Sequence, residues 1–331
     1  MPLTRKPFGE RIETVEILYD DIFAGLLADW AAQGRQLAAA GAGLPDGGAE
    51  FARLGDFLGR LDGNNFATTH AADVALYRGL PLVRERVKVH VARQILTALE
   101  ARATPISRRL PPWVVVAHSL GTIVAHDALD AIWTLRLPPA AVPQGGSNRF
   151  DPSQPGAKAE LVMMVANVSR LLQSDPKAYV STVMPGPPLS PVPGDPGRLR
   201  GSEHYVNTWH RFDPVTIPGR FAPVPPDWPD SAAVRDGRFQ DIEVRHIHSV
   251  QIHDFLHYMA DPRLHGALFQ RATSPALLTD RAIERRVEEF AGSGGGLSDN
   301  AQIALKVDVE SLDIGTDALW TFLLDLPKRF L

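Results

Sequence analysis

The sequence predicts an α/β fold, a mostly parallel sheet flanked by helices and interrupted by long Pro/Gly-rich insertions. Three observations lead there. Trp113 to Ala117 is a short, unbroken apolar run, the pattern of a strand buried on both faces of a parallel sheet. A helical pattern begins within a few residues of it, from about Thr122 to Leu135. Other strand-like runs and helical segments lie on either side of it.

Taken in order, the first expected strand is Thr14 to Tyr19, an apolar run with β-branched residues that ends at Asp20-Asp21. From Ile22 to Leu37, Phe23, Leu26, Leu27, Trp30 and Ala31 fit one helical face. A second helix is expected over Glu50 to Leu61, stopped by Asp62-Gly63-Asn64-Asn65. Leu82 to Ala101 reads as a long amphipathic helix, with Val87, Val91, Ile95 and Ala98 at helical spacing. After the run at Trp113 and its helix, strands are expected at Glu160 to Asn167, Tyr205 to His210 and Ile242 to Ile247. Helices are expected at about His253 to Met259 and at Asp280 to Phe290. Near the end, Ile303, Leu305, Val307 and Val309 alternate with polar or small residues, the mark of a half-buried strand.

These elements group into a main α/β domain over 1–291, in which 137–235 hold most of the prolines and read as a lid or surface loops. Residues 292–296 read as a Gly-rich connector, and 297–331 as a strand and apolar tail that packs on the main domain or on a partner.

Composition narrows the chemistry. The 331 residues contain no cysteine, which excludes disulfides, a cysteine nucleophile and thiolate-based zinc sites. A net charge of −4 gives no general electrostatic reason to bind nucleic acid. Arg84, Arg86 and Lys88 are spread around a helix and read as a solvated surface. No apolar stretch is long enough to span a membrane, and no apolar region follows the basic N-terminus, so the cytoplasm is the expected location. Leu319 to Leu324 could touch lipid, but core packing explains that stretch more simply. No cofactor is expected. His246 and His248 could be read as a metal-ligand pair, but no carboxylate pattern accompanies them, and no metal is expected.

The chemistry centres on Ala117-His118-Ser119-Leu120-Gly121. A serine between a buried strand and a helix, with small residues two positions away on each side, fits a nucleophile elbow. The tight turn forces strained backbone at the serine and leaves no room for bulk at 117 and 121. The helix N-terminus then offers partial positive charge to a developing oxyanion, with the Leu120 N–H as one donor. The pentapeptide alone is weak; its strand–turn–helix context carries the weight. The plainer reading makes Ser119 an ordinary helix N-cap.

Trp113 to Leu129, WVVVAHSLGTIVAHDAL, resembles the elbow of the α/β-hydrolase superfamily in its esterase and lipase-like branch. The resemblance is specific over this segment and weaker elsewhere. It implies a serine hydrolase acting on a small-molecule acyl ester, with Ser119 as nucleophile and the chain order Ser, acid, His. Asp213, in Arg211-Phe212-Asp213-Pro214-Val215, resembles the family's acid after a strand; alternatively it only begins an Asx-Pro turn. Asp195, Asp227 and Asp230 lie in Pro-rich loops and are weaker candidates. His253-Asp254-Phe255, leading to Tyr258-Met259 and Asp261-Pro262, resembles the catalytic-His loop, with His248 as the alternative base.

One departure stands out. The superfamily has an early strand ending in a His-Gly or Gly-Gly turn that gives the second oxyanion N–H. Here the first expected strand ends Leu18-Tyr19-Asp20-Asp21. Either the usual first strand is missing or the second donor comes from elsewhere, and that donor is left unassigned. An exposed sheet edge would favour a homo-oligomer. A non-catalytic binding or assembly module that keeps the fold is the competing reading.

Overall fold

The computed structural model describes residues 13–41, 73–74, 76–103, 110–134, 137, 156–169, 201–213, 215–216, 221, 237–247, 252–272 and 280–292. These fall into two compact units, one formed by residues 17–87 and the other by residues 13–16 and those from 88 onward.

In the smaller unit, helix α1 spans Asp20–Gly41 and buries Ile22, Phe23 and Leu27 along one face. Asp20 and Asp21 lie in its first turn, where carboxylates complement the positive end of the helix dipole. Helix α2 spans Pro81–Glu100, close to the expected helix, and crosses the boundary between units in sequence. Its buried residues Val87, Val91, Ile95 and Leu99 recur every four positions, so one stripe faces a core.

The strand expected at Thr14 to Tyr19 is not there. Residues 13–19 join no sheet, and Val15 and Leu18 are exposed at 44% and 54%. A β-prone run becomes a strand only where a neighbour offers a ladder, and this one has none.

The larger unit holds the sheet. Strands β1 (Val114–His118), β2 (Leu161–Val165), β3 (Tyr205–Trp209) and β4 (Phe239–Glu243) lie in the order β1-β2-β3-β4. All three pairings are parallel. Between β1 and β2 runs helix α3, Leu120–Trp133. After β4 come α4 (Phe255–Met259), α5 (Pro262–Arg271) and α6 (Asp280–Gly292). The α/β class with a parallel sheet and flanking helices is as expected. The last strand lies about three residues earlier than expected: Val244 still donates to the Trp209 carbonyl at 2.9 Å, but the residues to Ile247 lie beyond the ladder.

Strand alternation assigns the two faces. Leu161, Met163, Val165, Val206 and Ile242 share one face and form a core with Tyr258 of α4 and Leu264 of α5. Val162 and Met164 point the other way, and Tyr205 and Asn207 pair beside them. On that second face α3 reaches the sheet through His126, whose Nε2 meets the Tyr205 hydroxyl at 2.8 Å. Asn207 extends this polar network, accepting from Asn167 Nδ2 at 2.8 Å and donating to Asp241 Oδ1 at 2.7 Å.

β2 is buried at every position, as a strand covered on both faces must be. Among the described residues β1 is the sheet's edge, and Val116 at its middle is 37% exposed. Ile283 of α6 packs over Gly266 of α5, where a Cβ would come within 3.1 Å of it. No described helix is long and apolar enough to cross a membrane. The helix expected at 50–61, most of 137–235, residues 293–296 and the C-terminal segment lie outside the described residues.

Candidate active site

The chain leaves β1 at His118, turns at Ser119 and enters α3 at Leu120. Ser119 has φ 53° and ψ −128°, a conformation that L-residues rarely adopt and that costs roughly 1–3 kcal/mol. Neighbouring groups hold it there. The Ser119 N–H donates to the Val165 carbonyl at the end of β2, at 3.1 Å. Its own carbonyl accepts from the Thr122 N–H at 2.9 Å and from the Thr122 hydroxyl at 2.7 Å. Ser119 occupies the N-cap position but makes no side-chain capping bond, so its hydroxyl is left for another partner.

That partner is His253. Its Nε2 lies 2.7 Å from Ser119 Oγ, and its Nδ1 lies 2.7 Å from Asp213 Oδ2. The three side chains come from loops that follow β1, β3 and β4, at the carboxyl edge of the sheet. An ionised carboxylate can only accept, so Nδ1 carries the proton. In the neutral ring Nε2 is then the acceptor, and the Ser119 hydroxyl donates to it.

Asp213 is fully buried and yet well supplied with donors. Oδ1 accepts the Val215 N–H at 2.9 Å, as an Asx turn requires. Oδ2 accepts both the His253 ring and the Tyr258 hydroxyl, the latter at 2.8 Å. The turn-former and the partner of the imidazole are thus one side chain. Burial by itself would push this carboxyl up. The His253 hydrogen bond and charge, with Tyr258 and Val215, outweigh it and hold Asp213 below its ordinary value. Burial and then the Asp213 charge push the Tyr258 phenol well above its usual range, so it stays a donor.

His118 is the other imidazole at the site. Its Nε2 lies 2.8 Å from the backbone carbonyl of His253, and the two rings are 4.9 Å apart. Phe255 meets the His118 ring edge-on at 5.7 Å. Burial, then the neighbouring His253, lower the His118 pKa to about 4. The Asp254 side chain caps α4 by accepting the Leu256 N–H at 2.7 Å, which fixes where the His253 loop ends.

The structure therefore brings Ser119, His253 and Asp213 into one hydrogen-bonded chain. Leu120 is the first residue of α3, so its N–H is at the positive end of that helix. His248, Asp195, Asp227 and Asp230 lie outside the described residues. His246 donates from Nε2 to the His257 carbonyl at 2.8 Å. No group of three or more metal-ligating side chains occurs among the described residues. Sequence reasoning missed the contacts of Tyr258, Thr122 and His118. A tyrosine five residues after the histidine was the one visible sign of the first.

Such a chain can lower the cost of removing the serine proton, because the imidazole accepts it and the carboxylate stabilises the resulting cation. Fold and site together define an α/β protein with hydrogen-bonded Ser, His and Asp side chains at the carboxyl edge of a parallel sheet. Comparison with protein families, curated proteins and solved structures finds no match.

Proposed function

We propose that this chain is a serine hydrolase of the α/β-hydrolase type that cleaves carboxylic esters through an acyl-enzyme on Ser119. One observation carries the reading: Ser119 Oγ and Asp213 Oδ2 each lie 2.7 Å from opposite nitrogens of the His253 ring. In the first half-reaction Ser119 Oγ bonds to the acyl carbon while its proton passes to His253 Nε2. The oxyanion develops beside the Leu120 N–H at the start of α3. The intermediate collapses, the ester C–O bond breaks, and the leaving alkoxide takes the proton from Nε2. Water then repeats the cycle on the acyl-enzyme, releasing the carboxylic acid and restoring the serine hydroxyl. Asp213 stays ionised throughout and holds Nδ1–H, keeping Nε2 toward the serine.

The test is fluorophosphonate labelling beside turnover of p-nitrophenyl esters of graded acyl length, for wild type and Ser119→Ala. Labelling confined to Ser119, with turnover lost in the alanine variant, supports the proposal. An unlabelled but folded wild-type chain, or labelling that survives Ser119→Ala, refutes it. A non-catalytic binding module is the second reading. The edge position of β1 among the described residues and the exposure of Val116 favour it, since the strand that leads into Ser119 is the one left partly open.

A further inference from the structure

We propose that His118 is a positioning residue that clamps the backbone of His253 to the nucleophile strand, so that elbow and base move as one unit. The inference rests on the serine hydrolase reading and assigns a task to a residue that the reading leaves idle. His118 ends β1, directly before Ser119, and its ring lies on the sheet face that α4 covers. Its Nε2 is 2.8 Å from the His253 carbonyl oxygen. A carbonyl can only accept, so His118 carries its proton on Nε2 and donates.

The consequence is geometric. His253 lies 134 residues beyond Ser119 in a loop, and its imidazole would otherwise be located only by the two bonds it makes through its ring. The His118 bond adds a third tie, to the main chain of the same residue, from the strand that sets the position of Ser119. Rotation of the His253 loop away from the serine must break it. The ring contact at 4.9 Å and the edge-on contact with Phe255 at 5.7 Å pack two further rings against His118. The neighbouring ring must also stay uncharged when His253 takes up a proton. A His118 pKa of about 4 keeps it so at neutral pH.

Two variants separate the donor from the ring. His118→Phe keeps an aromatic ring against His253 and Phe255 but has no donor. His118→Gln places an amide N–H the same number of bonds from Cα as the imidazole Nε2. Each is compared with wild type by kcat and KM on a p-nitrophenyl ester, by thermal melting, and by the downfield proton resonance of the His253 Nδ1–H bound to Asp213. His118→Phe should lower kcat by about 10- to 100-fold, the scale of a misplaced reacting group, with KM and melting temperature little changed. The downfield resonance should shift or broaden, and His118→Gln should restore both kcat and resonance most of the way. A kcat for His118→Phe equal to wild type, or a glutamine variant as impaired as the phenylalanine one, overturns the proposal. If Ser119→Ala leaves turnover intact, the hydrolase reading falls instead. The clamp is then judged by the resonance alone, which must change in His118→Phe and recover in His118→Gln.

Discussion

Replacing Tyr258 by Phe removes a single oxygen from the interior and should expose how Asp213 is kept charged there. The phenol is fully buried, and its hydroxyl donates to Asp213 Oδ2 at 2.8 Å. The carboxylate is itself fully buried, so no water replaces the lost donor without rearrangement. A hydrogen bond to a charged group contributes about 1.5–3 kcal/mol, and that is the expected loss of unfolding free energy near neutral pH. The sign with pH follows from linkage. Asp213 is held below its ordinary value in the folded protein, so the stability it confers is full above that value and disappears as pH falls through the folded one. Without the Tyr258 hydroxyl the carboxyl is released upward, and it protonates earlier as pH falls. The difference between variant and wild type should therefore be largest near pH 7 and shrink as pH falls toward the lowered value of the wild-type carboxyl, below which both are neutral. Urea unfolding of the two proteins across that range measures it, and groups that titrate alike in both cancel from the difference. A gap under about 0.5 kcal/mol at neutral pH, the value of a weak neutral bond, would refute the reasoning. So would a gap that does not change with pH.

Three further outcomes are expected. Asp213→Asn should lower kcat about ten-thousandfold with the fold intact, because an amide at that position favours the wrong His253 tautomer; steady-state kinetics with circular dichroism checks it. Thr122→Val should cost about 1–3 kcal/mol in urea unfolding while Thr122→Ser costs less, since the hydroxyl that donates to the Ser119 carbonyl also accepts the Val168 N–H at 3.3 Å. His126 and His210 are buried, and burial lowers their pKa values to about 3 and about 4. The unfolded chain binds their protons below about pH 6.5 and the folded one does not, so these two groups should make stability fall as pH falls from there, by up to about 2.7 kcal/mol per pH unit, and His118, lowered to about 4, adds to the slope. A flat stability profile between pH 6.5 and 5 would contradict that.

What could be read from the residues depended on how local the cause was. The strand Val114–His118 and helix Leu120–Trp133 follow from an apolar run and a tight turn, both written within twenty residues of sequence, and were legible. Asp213 and His253 were reached through a family resemblance, because nothing local marks two residues forty positions apart as partners. The run at Thr14 to Tyr19 has strand-forming residues but no ladder to join, a fact about tertiary neighbours. In β4 the apolar residues Val244 and Ile247 drew the expected strand toward the C-terminus. Both are buried in the core; Val244 makes the last ladder bond, to the Trp209 carbonyl, and Ile247 lies beyond it. The Asp261-Pro262 pair carries a local helix-start signal: it is the N-cap and first residue of α5, with Asp261 accepting the Arg263 N–H at 2.9 Å. The bonds of His118 to His253, of Thr122 to Val168 and of Tyr258 to Asp213 join segments that only the folded sheet brings together, so spacing shows little of them.

The wide separation along the chain of Ser119, Asp213 and His253 also bears on how the molecule acquires their contact. Loop closure over 134 residues must precede the contact between Ser119 and His253, and the strands between them must pair in register first. Recovery of that contact during refolding should accordingly trail the return of helical signal. A probe that reacts with the serine would time the last steps of assembly and ignore the first.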